Sequence, residues 1–186
     1  MISFLERFTK LSEAEIEKLD ACIQLKDYGK GDFFVKEGQI CNHFGFLVKG
    51  IFRVYHLANE KEFTSYFNTD ERNRLVADFS SFLTRKPSRE NIHALENCEV
   101  LLIRQDALEN LYDGSFTFQK LGRLIAEYNY VLAIERIYSL QHESAAERYN
   151  HLLEIYPNLV NRIPHHYIAS YLGITPESLS RIRKEK

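Results

Sequence analysis

The sequence is poor in the residue groupings that bound cofactors and catalytic centres need. It has three cysteines in 186 residues, Cys22, Cys41 and Cys98. They are widely spaced and form no C-x-x-C pair, which excludes a zinc ribbon and a thioredoxin-like redox site. Three cannot supply a four-cysteine iron–sulfur cluster either. They read as small apolar fillers in a reducing compartment. No His-x-His occurs: His43, His56 and His93 stand alone, so the ligand pattern of a metal-dependent cupin is missing. His165 and His166 are adjacent, and on a helix neighbours point about 100° apart and do not share a metal. Gly29-Lys30-Gly31 lacks the spacing of a phosphate-binding loop, and there is no G-x-S-x-G elbow. The expectation is a protein that is not an enzyme and uses no metal or cofactor. No apolar run approaches the roughly 20 residues of a membrane span. The opening M-I-S-F-L-E-R-F-T-K is too charged for a secretion signal. A cytoplasmic protein is expected.

Basic charge is also in short supply, at 24 Lys and Arg against 26 Asp and Glu. That argues against a chain coated for indiscriminate nucleic-acid binding. The distribution says more. Residues 1–114 carry 15 basic against 19 acidic side chains, residues 115–186 carry 9 against 7, and residues 162–186 alone carry 5 against 2. Positive charge is focused at the C-terminal end, as a local phosphate-binding footprint requires. With 45% hydrophobic and 27% charged residues, the chain is globular rather than disordered.

The hydrophobic pattern changes period along the chain. Ser12 and Glu15 form a capping box ahead of Ile16, Leu19 and Ile23, so Leu5 to Ile23 reads as one or two amphipathic helices. From Gln24 to about Ile103 short aromatic and β-branched runs alternate with turns such as Lys49-Gly50, the pattern of a β-sandwich or small roll. Pro87 belongs in a loop. After Asp113-Gly114 the chain reads as helical. Phe118, Leu121, Ile125, Tyr128 and Leu132 recur three and four apart, the seam of a two-helix contact, and Leu124, Val131, Ile134 and Tyr138 widen it. Ser144 to about Ile155 reads as a further helix leading through Pro157. There is no internal repeat and no low-complexity tract.

The last segment, Arg162 to Lys186, has the residue grammar of a helix-turn-helix. Pro164 suits the opening of a first helix, whose first turn has no use for the N–H that proline lacks. Ile168 and Leu172 share one face, and Ala169 is small where a second helix must cross. Gly173 supplies the left-handed stop. Thr175 then caps a second helix with Pro176 in its first turn and Glu177 near the positive end of the dipole. Caps and periodicity alone would fit an ordinary helical hairpin. The joint offsets of the small residue, the turn glycine and the later apolar pair favour a DNA reader.

A helix pair, a glycine-punctuated roll, a long helix and a terminal helix-turn-helix, in that order, resemble the Crp/Fnr family of bacterial transcription regulators. The resemblance rests on Gly31-Asp32, Glu37-Gly38, F-L-V-K-G-I-F-R-V at Phe46–Val54, A-L-E-N-C-E-V-L-L-I at Ala94–Ile103 and, most specifically, I-A-S-Y-L-G-I-T-P-E-S-L-S-R-I at Ile168–Ile182. It implies an α+β fold: an N-terminal jelly-roll-like β-roll (a double-stranded β-helix) as sensor over residues 1–114, a dimerisation helix over 115–141, and a winged-helix-like helix-turn-helix over 142–186. The partners it implies are double-stranded DNA, a second copy of the chain, RNA polymerase and a small-molecule effector of unknown identity.

Family members that bind cyclic AMP carry a Gly-Glu-Leu triplet, a short helix and then an arginine for the cyclic phosphate. Here the triplet falls near Ala77-Asp78-Phe79 and the arginine near Ser88, with Arg89 displaced by one. Asp78 is one methylene short of glutamate and Ser88 supplies no cation. Asp78, Ser88 and Arg89 are the candidate effector residues, and a cyclic nucleotide is not the expected ligand.

For DNA the candidates are Thr175, Glu177, Ser178, Ser180, Arg181, Arg183 and Lys184. Arg181 suits bidentate contact with guanine, Glu177 acceptance from cytosine N4, and Thr175 and Ser178 phosphate or base edges. Arg183 and Lys184 are expected toward the backbone. The sequence ends four residues after Ile182, so affinity is expected to lean on dimerisation and phosphate contacts and to fall with salt. The alternative is a signalling module of the same roll with a vestigial reader, acting through partner binding.

Overall fold

The computed structural model describes residues 1–184. Two short helices come first, α1 (Ile2–Leu5) and α2 (Glu13–Asp20). The expected capping box closes α2: Ser12 Oγ accepts from the Glu15 N–H at 3.4 Å, and Glu15 accepts from the Ser12 N–H at 2.9 Å.

Eight strands follow: β1 (Ile23–Tyr28), β2 (Phe33–Val35), β3 (His43–Lys49), β4 (Ile51–Ala58), β5 (Lys61–Thr69), β6 (Leu75–Val76), β7 (Asn91–Ala94) and β8 (Cys98–Arg104). They form two antiparallel four-stranded sheets, ordered β1-β8-β3-β6 and β2-β7-β4-β5. A short helix, α3 (Phe79–Thr84), lies between β6 and β7. The inner faces meet in a core that includes Leu47, Phe52, Val54, Ile92 and Val100, none of which reaches solvent. Each such side chain contributes roughly 1.5–3 kcal/mol of burial free energy. At the β3–β4 turn Gly50 has φ 108°, and a Cβ there would sit 2.5 Å from Cys98 Sγ. Both the backbone conformation and the close approach demand glycine.

Strand β4 departs from simple alternation, because Ile51 to Tyr55 are all buried. Phe52 and Val54 face the roll interior, while Ile51 joins a second cluster formed with the C-terminal helices. Each sheet face is covered, so the run is apolar throughout apart from Arg53.

The helical part begins earlier than the sequence suggests. Helix α4 (Gln105–Gly114) follows β8 directly, whereas the periodicity placed the change of structure only after Gly114. Helix α5 (Phe116–His142) is the long helix. Its expected seam divides: Phe118 and Leu121 are buried against α1, α2, α4 and the outer face of the first sheet, and Tyr128 meets Phe8 edge-on at 5.6 Å. Apart from Phe116 at the first turn, the exposed large apolar residues lie further along, at Tyr130, Val131, Ile134, Ile137, Tyr138 and Leu140. The face continues, but the chain's own first domain covers its N-terminal half.

Four helices complete the chain: α6 (Ala145–Ile155), α7 (Leu159–Arg162), α8 (His165–Leu172) and α9 (Pro176–Lys184). A second capping box, Ser144 with Glu147, starts α6. These helices and the roll share one hydrophobic cluster, in which Ile51, Phe67 and Leu95 of the roll pack with Tyr149, Leu152, Leu159, Ile163, Ile168, Leu172 and Leu179. No strand occurs between residues 142 and 184.

Candidate nucleic-acid interface

Helices α8 and α9 are joined as their punctuation dictates. Gly173 adopts φ 70° and donates to the Ser170 carbonyl at 3.1 Å, while Ile174 N–H donates to the Ala169 carbonyl at 3.0 Å. This pair of bonds is a Schellman motif. Two arginines that the sequence did not single out complete the cap. Arg148 donates from Nε and Nη2 to the Leu172 carbonyl at 3.1 and 2.8 Å. Arg136, on α5, donates to the Tyr171 carbonyl and lies 3.8 Å from the Tyr171 ring centre. Cations at a helix C-terminus are favourable because that end carries the negative pole of the dipole. Ala169 is fully buried where α9 crosses, and Leu179 packs into the same cluster.

Helix α9 starts as expected. Thr175 Oγ1 accepts from the Ser178 N–H at 3.3 Å. The Glu177 carboxyl is held below the usual range by backbone N–H bonding first and the Thr175 hydroxyl second. Thr175, Glu177, Ser180, Arg181, Arg183 and Lys184 are exposed, and Ser178 is half-buried. Glu177, Ser180, Arg181 and Lys184 are spaced three and four apart and form one outward strip. Arg183 is turned away from that strip: its Nη1 lies 2.8 Å from His165 Nδ1, at the start of α8. The two residues, with Ser180 and Lys184, border an open depression of about 330 Å³. Six of the seven candidates, Arg183 among them, are thus exposed and Ser178 is half-buried, with Arg183 on the side of α9 that faces His165.

The effector candidates are arranged differently. Asp78 and Ser88 are both buried, whereas Arg89 is exposed. Asp78 Oδ1 caps α3 by accepting from the Ser81 N–H at 3.0 Å. Ser88 Oγ lies 2.6 Å from Asp78 Oδ2 and 2.7 Å from the Glu90 carbonyl oxygen, so one hydroxyl proton serves two acceptors. Glu90 is close by. Burial pushes its carboxyl up, and the charge of Asp78 adds to this against the hydrogen bond from Ser65. Arg85 is occupied with the Cys41 and Phe82 carbonyls and the Asn42 side chain. The cassette position is therefore closed by its own hydrogen bonds and lined by carboxylates, and a phosphate there would meet like charge.

The helix-turn-helix is fastened to the roll. Arg53, 1% exposed, lies between the rings of Tyr55 and Tyr167, 4.3 and 4.0 Å from their centres. Its Nε donates to Thr64 Oγ1 at 2.8 Å and its Nη1 to Glu62 at 2.5 Å. At the other end of this contact Arg162 donates to Asp70 at 2.8 and 3.1 Å and to Glu96 at 2.5 Å. The only sign of the first contact in the sequence is an arginine in the middle of an apolar strand. Tyr55 apart, the partners of Arg53 and those of Arg162 come from other elements, so spacing could not show them.

Among the described residues, no group of three His, Cys, Asp or Glu side chains is placed to hold a metal ion, and no helix is long and apolar enough to cross a membrane.

Residues 25–115 match the family model described as cyclic nucleotide-binding domain. No curated protein sequence matches the chain. Among solved structures, FixK2 from Bradyrhizobium japonicum superimposes with a TM-score of 0.74 at 21% identity, covering 88% of this chain and 83% of that one. The c-di-GMP-responsive global regulator CLP of Xanthomonas campestris gives 0.70 at 13%, covering 94% and 91%. The catabolite activator protein of Thermus thermophilus gives 0.60 at 18%, covering 96% and 84%. At these identities the likeness establishes the fold.

Proposed function

We propose that this chain, which carries a cyclic nucleotide-binding-type domain over residues 25–115 and has the architecture of the Crp/Fnr regulators, is a sequence-specific DNA-binding transcription regulator that works as a homodimer. The observation that carries the reading is the outward strip of α9. Glu177, Ser180, Arg181 and Lys184 stand exposed on a helix whose other face is locked by Leu179 and the Gly173 turn. A rigid helix presenting polar and basic side chains is what major-groove readout requires. Arg183 with His165, on the flank, is placed for phosphate rather than bases.

Dimerisation is supported by the exposed half of α5. Val131, Ile134 and Tyr138 are each about half exposed or more, at helical spacing, on a helix that buries Phe118 and Leu121 nearer its start. Two such helices packed together would relate two readers by a two-fold axis, as a palindromic operator demands. The carboxylate-lined cassette supports an effector other than a cyclic nucleotide, because Asp78 and Ser88 are bonded to each other and the Glu90 carboxyl is close by. No enzymatic role is proposed.

Selection of duplexes from a random pool tests the reading. An enriched inverted repeat with half-sites about one helical turn apart is expected. Absence of enrichment, with only weak salt-sensitive retention, would favour the partner-binding module with a vestigial reader.

A further inference from the structure

A second feature of the first domain borders the short helix α3, on side chains other than those of Asp78 and Ser88. On the outer face of the first sheet a cavity of about 140 Å³, partly open to solvent, lies between that sheet and helices α1 to α5. Apolar side chains from the sheet and from the helices converge on it, which makes it a recess suited to an apolar ligand. Phe44, Phe46, Leu101 and Ile103 form its floor, while Phe118, Leu121, Gly122 and Ile125 of α5 form its roof. Floor residues Phe44 and Phe46 pair with Ile103 and Leu101 across the β3–β8 ladder, so the floor is fixed by sheet register. Leu83, 69% exposed, stands at the rim.

The side chains around the cavity are almost wholly apolar. Only Glu109 and Tyr112 bring oxygen atoms to its wall. A water molecule needs two to four polar partners to be held in a cavity, and apolar cavities near 150 Å³ stay dry and take up benzene-sized molecules. Tyr112 supplies one polar handle. Its hydroxyl approaches Gly122 so closely that a Cβ there would lie 2.7 Å away, and it makes no hydrogen bond among the described residues. Burial, and secondarily the Glu109 charge, push that hydroxyl up from its ordinary value, so it remains a neutral donor.

We propose that this cavity is a binding site for a neutral, single-ring aromatic molecule of about benzene size with one hydrogen-bonding substituent, which meets the Tyr112 hydroxyl. A single ring matches the volume of about 140 Å³, and the almost wholly apolar lining disfavours a charged ligand. The site rests on the cavity alone. Its consequence rests on the regulator reading: the occupant touches the roll and α5 together, so binding tightens the seating of the helix that carries the exposed apolar stripe.

The test is a methyl NMR titration of the full chain, without DNA, using benzene and then phenol as probes. Saturable shifts confined to the cavity isoleucines Ile23, Ile103 and Ile125 are expected, with phenol binding several-fold more tightly than benzene. In Tyr112→Phe that advantage should vanish while benzene binding persists. Leu101→Ala, at a half-buried floor position, should enlarge the site and admit indole. Shifts that fail to saturate, or that spread equally to Ile168 and Ile182 of the reader, would overturn the proposal. Because no DNA is present, failure of the operator selection leaves this result intact, and failure here leaves the operator reading intact.

Discussion

Ser170 Oγ accepts a hydrogen bond from the Thr64 backbone N–H at 2.9 Å and donates to the Glu62 carbonyl at 3.0 Å. One hydroxyl on α8 thereby satisfies two of the backbone groups that β5 offers at the open edge of its sheet. An edge strand left bare is a template for unwanted pairing, and here the reader covers it. Ser170→Ala removes both bonds and leaves the Thr64 N–H without a partner. The expected loss is about 1–3 kcal/mol in urea denaturation, with hydrogen exchange in α8 accelerated before exchange in the roll. Unchanged stability and unchanged exchange would show that the hydroxyl contributes nothing to the contact.

His93 makes the same contact sensitive to pH. Its ring lies 5.4 Å from Tyr55 and 6.1 Å from Tyr167, and its Nδ1 has no hydrogen-bond partner among the described residues. Burial, then the charge of Arg53, hold the His93 pKa below the ordinary 6.5, with Glu62 acting in the opposite sense. A histidine with a depressed folded pKa takes up its proton more readily when unfolded. Its contribution to stability is therefore complete above pH about 6.5 and is lost as pH falls from there through the folded value. The urea midpoint should drop between pH 7.5 and 5.5 in the parent chain and drop less in His93→Phe. Equal drops would place the acid sensitivity elsewhere.

The stripe on α5 gives a third expectation. Ile134 is 46% exposed, so Ile134→Glu should leave the fold of the single chain intact and add a charge at the proposed two-fold seam. Sedimentation velocity should show a dimer for the parent chain and a monomer for the variant. A variant that remains dimeric would move the interface to another surface.

How much of this was legible in the sequence follows from how local each signal is. Ser12 with Glu15, Ser144 with Glu147, and Gly173 with Thr175 and Pro176 act within four residues of themselves, and the structure uses each in the role that its chemistry suggests. Helix α4 was missed because its apolar residues Ala107, Leu108 and Leu111 follow the run of β8 with no glycine or proline between them. The periodicity of α5 identifies which residues share a face, but it does not say what covers them. Phe118 and Leu121 went to the chain's own sensor for that reason. Arg53 with Tyr167, and the cavity beside Tyr112, bring together residues from distant segments. Their geometry comes from tertiary packing, and no spacing rule reaches it. The contact of Arg183 with His165 joins the two helices across 18 residues, and the periodicity of α9 alone does not show it.

The central claim is that α9 reads bases through its outward strip, and the most direct measurement is titration of the selected duplex with the parent chain, Arg181→Ala and Arg183→Ala at two salt concentrations. Arg181→Ala should lose about 1–3 kcal/mol of discrimination at one base pair of each half-site. Arg183→Ala should weaken binding to all duplexes alike and lower the salt slope by about 1. If both variants weaken every duplex equally and no position loses its preference, α9 does not read sequence, and the claim fails.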